Sequence, residues 1–185
     1  VFIGELSLEG GLRPVTGVLN FARLVQRLGF KQLFLPKENF TEASLIENIE
    51  IIPIENIIQL IDHLEDRKLI LPQLPPFLKI KDKESRIIDV DFSEIKGQNN
   101  AKRALIIAAS GGHNVLMIGS PGGGKTMLAQ ALNSILPDLT KEEIIEVTQV
   151  YSAAGLLNGK SFISQRPFRA PHQTASPAAI IGGGA

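Results

Sequence analysis

The sequence predicts an α/β protein in two parts, and three observations carry that prediction. Apolar runs of strand and helix length alternate over the first 65 residues. A proline-rich, charged break follows over Arg67–Val90. A second apolar run then feeds directly into a glycine-rich stretch, Gly119–Thr126, with helix periodicity after it.

In the first part, "VFIGEL" reads as a strand, "EGG" as a turn and "LRPV" as a second extended piece. "VLNFARLVQRL" has the apolar spacing of a helix, and Gly29 just past its last periodic residue supplies the stop. "KQLFLP" is a strand, "ENFTEASLIE" a helix, "IEIIPI" a strand and "IENIIQLIDHLED" a helix. Pro72, Pro75 and Pro76, followed by "KIKDKESR", lack apolar periodicity and read as an interdomain linker. From Asp91, "NNAKRALIIAAS" predicts a helix stopped by Gly111 and Gly112. "HNVLMIG" predicts a buried strand, and "KTMLAQALNSIL" a helix that begins inside the glycine-rich stretch. The predicted parts are therefore 1–66, a linker over 67–90, and 91–185. No internal repeat or low-complexity segment interrupts them.

Composition narrows the classes. Lys plus Arg equals Asp plus Glu at 19 each, so a nucleic-acid or membrane contact has to come from a local patch rather than net charge. The absence of cysteine excludes disulfides, thiolate metal sites and a cysteine nucleophile, and agrees with a reducing compartment, the cytoplasm being the default expectation. No run of about 18 apolar residues and no basic-then-apolar leader stands in the sequence, so no membrane partner is expected. The first residue, Val1, and the closing "IIGGGA" read as the ends of an internal piece of a longer chain.

Gly119-x4-Gly124-Lys125-Thr126 matches the phosphate-loop pattern G-x-x-x-x-G-K-[ST] in full. Glycines let the backbone curl so that successive N–H groups point inward, and the helix that follows adds the partial positive charge of its N-terminus. Gly119, Ser120, Pro121, Gly122, Gly123, Gly124, Lys125 and Thr126 are thus the candidate nucleotide-binding residues. Lys125, the candidate catalytic residue, would neutralise the β and γ phosphates, and the Thr126 hydroxyl would ligate Mg²⁺. The cofactors implied are ATP and Mg²⁺.

The flanks carry a longer resemblance. "DFSEIKGQ", with Asp91, Ile95, Gly97 and Gln98 at the matching positions, resembles the lead-in of an AAA+ ATPase module, where it lies near the adenine. "GQNNAKRALIIAASGGHNVLMIGSPGGGKTMLAQALNSILPDLTKEEIIEVTQVYSAAGLL" and "RPFRAPHQTAS" resemble the magnesium-chelatase-like subgroup, and within it the ComM (YifB) family. There a Lon-protease-like domain precedes the ATPase, and "FIGELSLEGGLRPVTGVLNFARLVQRLGFKQLFLPKEN" resembles the last half of that domain. The resemblance implies the C-terminal half of a Lon-like α/β domain followed by the start of a P-loop AAA+ domain, cut before its Walker B strand. It also implies a homo-oligomeric, hexameric ring that acts as a DNA helicase and branch-migration factor in recombination and natural transformation, on branched or single-stranded DNA.

Two departures qualify the resemblance. The position matching the catalytic lysine of Lon proteases is Leu19, which cannot deprotonate a serine, so proteolysis is expected to be lost. Where the family reads "PFRAPHHT" the second histidine is Gln173, which hydrogen-bonds but carries no charge.

Arg166, Arg169 and His172 recur every three residues among Pro167 and Pro171, which keep the backbone out of a helix interior. They are expected to contact DNA phosphate or substrate, with Phe168 stacking on a base; structural contacts within or between subunits are the alternative. His63 is expected at the surface of its helix and His113 to hydrogen-bond in a loop. Thr140 and Glu143 are expected to form a helix-capping box, and Lys102 and Arg103 a solvated helix face. A chelatase-type ATPase that remodels a protein partner is the second reading, and a Lon-type protease the third. Without Walker B, sensor and arginine-finger residues, the 185-residue stretch alone is expected to bind nucleotide weakly and hydrolyse little.

Overall fold

The computed structural model describes residues 1–71, 73 and 90–182. Most of the predicted linker, residues 72 and 74–89, lies outside the described residues, as do the closing residues 183–185. In chain order the elements are β1 (Glu5–Leu6), β2 (Leu12–Arg13), α1 (Val18–Arg27), β3 (Gln32–Pro36), α2 (Phe40–Ala43), β4 (Glu50–Ile54) and α3 (Ile57–Leu64). α4 (Asn99–Gly111), α5 (Lys125–Ile135), α6 (Lys141–Ala153) and α7 (Pro177–Ile181) follow. They form two compact units, Val1–Ser85 with Leu139–Gln165, and Arg86–Asp138 with Arg166–Ala185.

The first unit is the mixed α/β body that the alternation predicts. β1 and β2 pair antiparallel, Glu5 opposite Arg13, across a turn in which Gly10 takes φ 84°. α1 buries Val18, Leu19, Ala22 and Val25, the i, i+1, i+4, i+7 face of a helix lying on a core. It ends at Gly29, φ 76°, where the Phe30 N–H reaches back to the Val25 carbonyl at 3.1 Å. β3 and β4 then run parallel, from Gln32 opposite Glu50 to Pro36 opposite Ile54. Parallel neighbours need a crossover rather than a hairpin, and α2 supplies it. α2 is a single turn rather than the predicted ten-residue helix, because the Ser44 hydroxyl donates to the Phe40 carbonyl at 2.6 Å and Asn48 turns the chain at φ 62°. Asn56 caps α3 by accepting from the Gln59 N–H at 3.0 Å.

Asn39 and Glu42 are among the polar side chains buried in this unit, and both are used. The Asn39 amide pairs in both directions with the backbone of Val15, each bond 2.9 Å, and so fixes the approach to α1. The Glu42 carboxylate accepts from the Leu19 N–H at 3.2 Å and from the Ser152 hydroxyl. It therefore satisfies one of the orphan donors at the start of α1, a helix whose own N-cap residue, Gly17, has no side chain to do so.

Ser152 lies on α6, which packs in the first unit although the sequence places it in the second part. Its N-terminus carries the predicted capping box: Thr140 accepts from the Glu143 N–H at 3.2 Å and the Glu143 carboxylate accepts from the Thr140 N–H at 2.8 Å.

The second unit is helical among the described residues. Ile95, Leu105, Leu128 and Ala131 form its core, joining the lead-in to α4 and α5. The buried strand predicted over "HNVLMIG" does not form: residues 113–120 have no regular structure, and Leu116 and Ile118 are 83% and 88% exposed. The reason is pairing. A strand is held by ladder bonds to a neighbour, and both sheets among the described residues belong to the first unit. Met117 still packs onto the Ile95–Leu105–Leu128 cluster, but Val115, two residues before it, is exposed, so the inward–outward alternation of a strand is not kept.

Two outcomes follow from the first unit. Leu19→Ala removes a side chain with no solvent exposure and is expected to cost about 2–5 kcal/mol in urea unfolding. Burial raises the Glu42 carboxyl above its ordinary value, against the lowering effect of the Ser152 and Leu19 hydrogen bonds. The folded chain thus holds that proton more tightly than the unfolded chain does. This stabilisation is present below the unfolded-state pKa and is lost as pH rises through the raised folded-state value. Stability measured from acid to neutral pH should therefore fall more in the native protein than in Glu42→Gln, whose amide oxygen still accepts from both donors. Parallel pH curves for the two proteins would place the titration elsewhere.

Candidate phosphate-binding site

The predicted loop is held open by backbone conformation. Gly122 and Gly124 take φ 75° and 79°, a left-handed region that costs any other residue type steric strain. Gly124 is the N-cap of α5, and its carbonyl accepts the Leu128 N–H at 2.9 Å, so the helix starts at Lys125 with its first N–H groups free of helical partners. Gly122 through Met127 line an open cavity of about 300 Å³. Leu128 and Ala131, both buried against Leu105 and Ile95, fix α5 behind it.

The Lys125 ammonium donates to the Gly119 and Ser120 carbonyls at 2.9 and 2.7 Å. It thereby closes the loop from within, as the Gly123 N–H does toward the Ser120 carbonyl at 3.3 Å. The Thr126 side chain stands exposed at the loop mouth. These residues fit a polyphosphate with its magnesium ion: unpaired helix N–H groups, one ammonium whose partners a phosphate oxygen would replace, and one hydroxyl for an oxygen-loving cation. Among the described residues no cluster of three or more His, Asp or Glu side chains offers an independent metal site.

The lead-in is tied to the same helix. The Ser134 hydroxyl on α5 accepts the Phe92 N–H at 2.9 Å. Asp91 accepts from the Ser93 hydroxyl and N–H at 2.6 and 2.8 Å, bonds that hold its carboxyl below the ordinary range. Gly97 and Gln98 are both left-handed, at φ 68° and 52°, and turn the chain into α4. Lys102 departs from expectation: it donates to the Ile95 carbonyl and lies over the Phe92 ring at 5.6 Å. Only Arg103 of that pair is exposed.

The cation-rich segment has no regular secondary structure, as its prolines require. The structure gives its residues separate local contacts. Arg166 donates from Nε to the Pro137 carbonyl at 2.9 Å, and its own carbonyl accepts from Asn133 Nδ2 at 3.0 Å. Arg169 and Phe168 are exposed. His172 accepts the Thr174 N–H on Nδ1 at 3.3 Å and contacts the Thr174 hydroxyl at 2.7 Å, within a turn. Sequence reasoning missed Asn133, whose partner lies 33 residues away and leaves no local signal.

The other histidines are structural. His63, expected at the surface, is part-buried: its Nδ1 accepts the Ile70 N–H at 3.0 Å and its ring meets Phe34 edge-on. His113 is in a loop as expected, with its N–H donating to the Ala108 carbonyl at 2.9 Å and its ring lying against Gly111.

The chain is similar to several known proteins. Residues 91–185 match the family model described as magnesium chelatase, subunit ChlI, and residues 1–39 match a second described as subunit ChlI of Mg-chelatase. The chain is similar to the competence protein ComM of Haemophilus influenzae, 40% identical over 99% of this chain and 36% of that protein. It is similar to YifB of Escherichia coli, 38% identical over 99% of this chain and 35% of that protein. The chain thus spans about a third of the length of these relatives. A shorter likeness, 42% identity over 60 residues, joins 32% of the chain to 9% of an archaeal Lon protease of Archaeoglobus fulgidus.

The loop's backbone predicts a contrast between two glycines. Gly124→Ala forces a left-handed alanine at the start of α5 and is expected to cost about 1–2 kcal/mol in thermal unfolding. Gly119→Ala, where a Cβ would meet nothing nearer than the Lys125 side chain at 4.0 Å, is expected to be close to neutral in stability. Equal losses would mean that the left-handed turn does not set the loop.

Proposed function

The chain belongs to the magnesium-chelatase-like family that includes YifB and ComM, and from that premise we propose that it is the nucleotide-binding part of an ATP-driven motor acting on DNA. The observation that carries the reading is the glycine loop preset at the N-terminus of α5, with Lys125 and Thr126 at its mouth. Gly119 to Thr126 hold the phosphates of ATP, Lys125 neutralises charge on the β and γ groups, and Thr126 supplies one oxygen to Mg²⁺. By the same resemblance, the lead-in from Asp91 to Gln98 would face the base. Bound with its metal, the nucleotide would supply the phosphoryl group for transfer to water; the loop's own part is to bind, orient and screen charge.

In this reading the complete protein assembles as a ring in the cytoplasm, and its substrate is branched or single-stranded DNA, as the likeness to a competence protein favours. Arg169, exposed on a proline-stiffened segment, is the residue best placed for DNA phosphate. Arg166, less exposed, donates to the Pro137 carbonyl. A chelatase-type ATPase that remodels a protein partner is the second reading, favoured by the matching family model. Proteolysis is disfavoured, because the position of a Lon lysine holds Leu19, sealed in the core.

ATP turnover by the complete protein with and without branched DNA separates these readings. Strong stimulation that Lys125→Ala abolishes supports the DNA motor; turnover indifferent to DNA moves the assignment to a protein partner. Lys125→Ala is expected to weaken nucleotide binding by about ten- to over a hundredfold, through lost charge-assisted hydrogen bonds. If Arg169 contacts phosphate, Arg169→Ala lowers the log–log salt slope of DNA binding by about 0.7–0.9, and an unchanged slope returns it to a structural role.

A further inference from the structure

Leu139–Gln165 lies within the span that matches the chelatase family model, yet packs in the unit built from the first residues of the chain. The contacts run the length of α6. Lys141 pairs with Glu47 at one end. In the middle, the Gln149 carbonyl accepts from Asn20 Nδ2 at 3.2 Å and its side-chain oxygen from Arg23 Nη1 at 2.6 Å. At the other end the Ser152 hydroxyl donates to Glu42. Ile145 packs on the α1 core between them, and Thr148, fully buried, accepts the Ile163 N–H at 3.0 Å from the returning limb, on which Phe162 also reaches that core.

Positions 141, 145, 148, 149 and 152 fall on one helical face, and that face is mostly polar. Its match to α1 is consequently one of donors and acceptors: Asn20, Arg23 and the Glu42 carboxylate each meet a specific partner on α6. The segment's base is gathered separately, where Arg166 holds the Pro137 carbonyl and Asn133 holds Arg166.

We propose that Leu139–Gln165 is a docking strap: a stretch of the nucleotide-binding part of the chain that α1 and α2 bind as a partner, so that the N-terminal module is retained non-covalently as well as through the 67–90 linker. The Arg23–Gln149 and Glu42–Ser152 hydrogen bonds select the strap. The N-terminal residues are then incomplete without it, and undocking would expose the α1 face together with a buried carboxyl.

The test is made on the complete protein carrying a protease site within residues 74–89. After cleavage under native conditions, size-exclusion chromatography is expected to show the N-terminal piece co-eluting with the remainder. Gln149→Lys sets a cation against Arg23 and is expected to weaken retention about tenfold or more, and Arg23→Glu added to it is expected to restore retention. Ser152→Asp, which sets a carboxylate against Glu42, should release the piece after cleavage. Circular dichroism of each uncut variant confirms that the chain is folded. Separation of the cleaved native protein overturns the proposal, as does retention that ignores both Gln149→Lys and Ser152→Asp, which would place the holding contacts elsewhere.

Discussion

Glu42 brings a carboxyl group into an apolar core, where burying it unpaired would cost several kcal/mol. The fold answers with two donors from two directions. The Leu19 N–H is the second of α1, so the carboxyl sits at the positive end of a helix; the Ser152 hydroxyl comes from α6, far along the chain. α1, α2 and α6 are thereby put in register by one side chain, and the loss of either donor would leave the carboxyl partly uncompensated. An apolar residue could fill the space, but would not specify where α1 begins or how far α6 slides along it.

The phosphate loop follows the opposite strategy. Nothing there is buried to create the site; backbone conformation at Gly122 and Gly124 does the shaping, and Lys125 rests on the carbonyls of Gly119 and Ser120. The loop's curl is set by its own backbone, and in the proposed role a phosphate would replace the partners of one ammonium. Support comes from behind, through Leu128 and Ala131, which hold α5 against α4 and the lead-in.

How much of this was legible in the sequence depended on how local each cause was. α1, β3, β4 and α3 were readable because their apolar periodicity and stop signals lie within a dozen residues. The loop was readable because its glycines and lysine act on their own neighbours. The strand over "HNVLMIG" was misjudged because a strand depends on a partner, and composition says nothing about whether one is present. The placement of α6 was illegible for a related reason: Thr148, Gln149 and Ser152 look like a solvated face until Glu42, Arg23 and Asn20 are brought to them. Lys102 and His63 were taken for surface groups because nothing local shows that Phe92 or Phe34 lies within reach.

The unpaired run before the phosphate loop has a colloidal consequence. Leu116 and Ile118 are both exposed, two residues apart, on backbone that pairs with no strand among the described residues. Such a segment is a template for any other strand edge that meets it, including the same segment in a second molecule. Association of this stretch of chain therefore depends on what covers these residues as well as on its balanced charge.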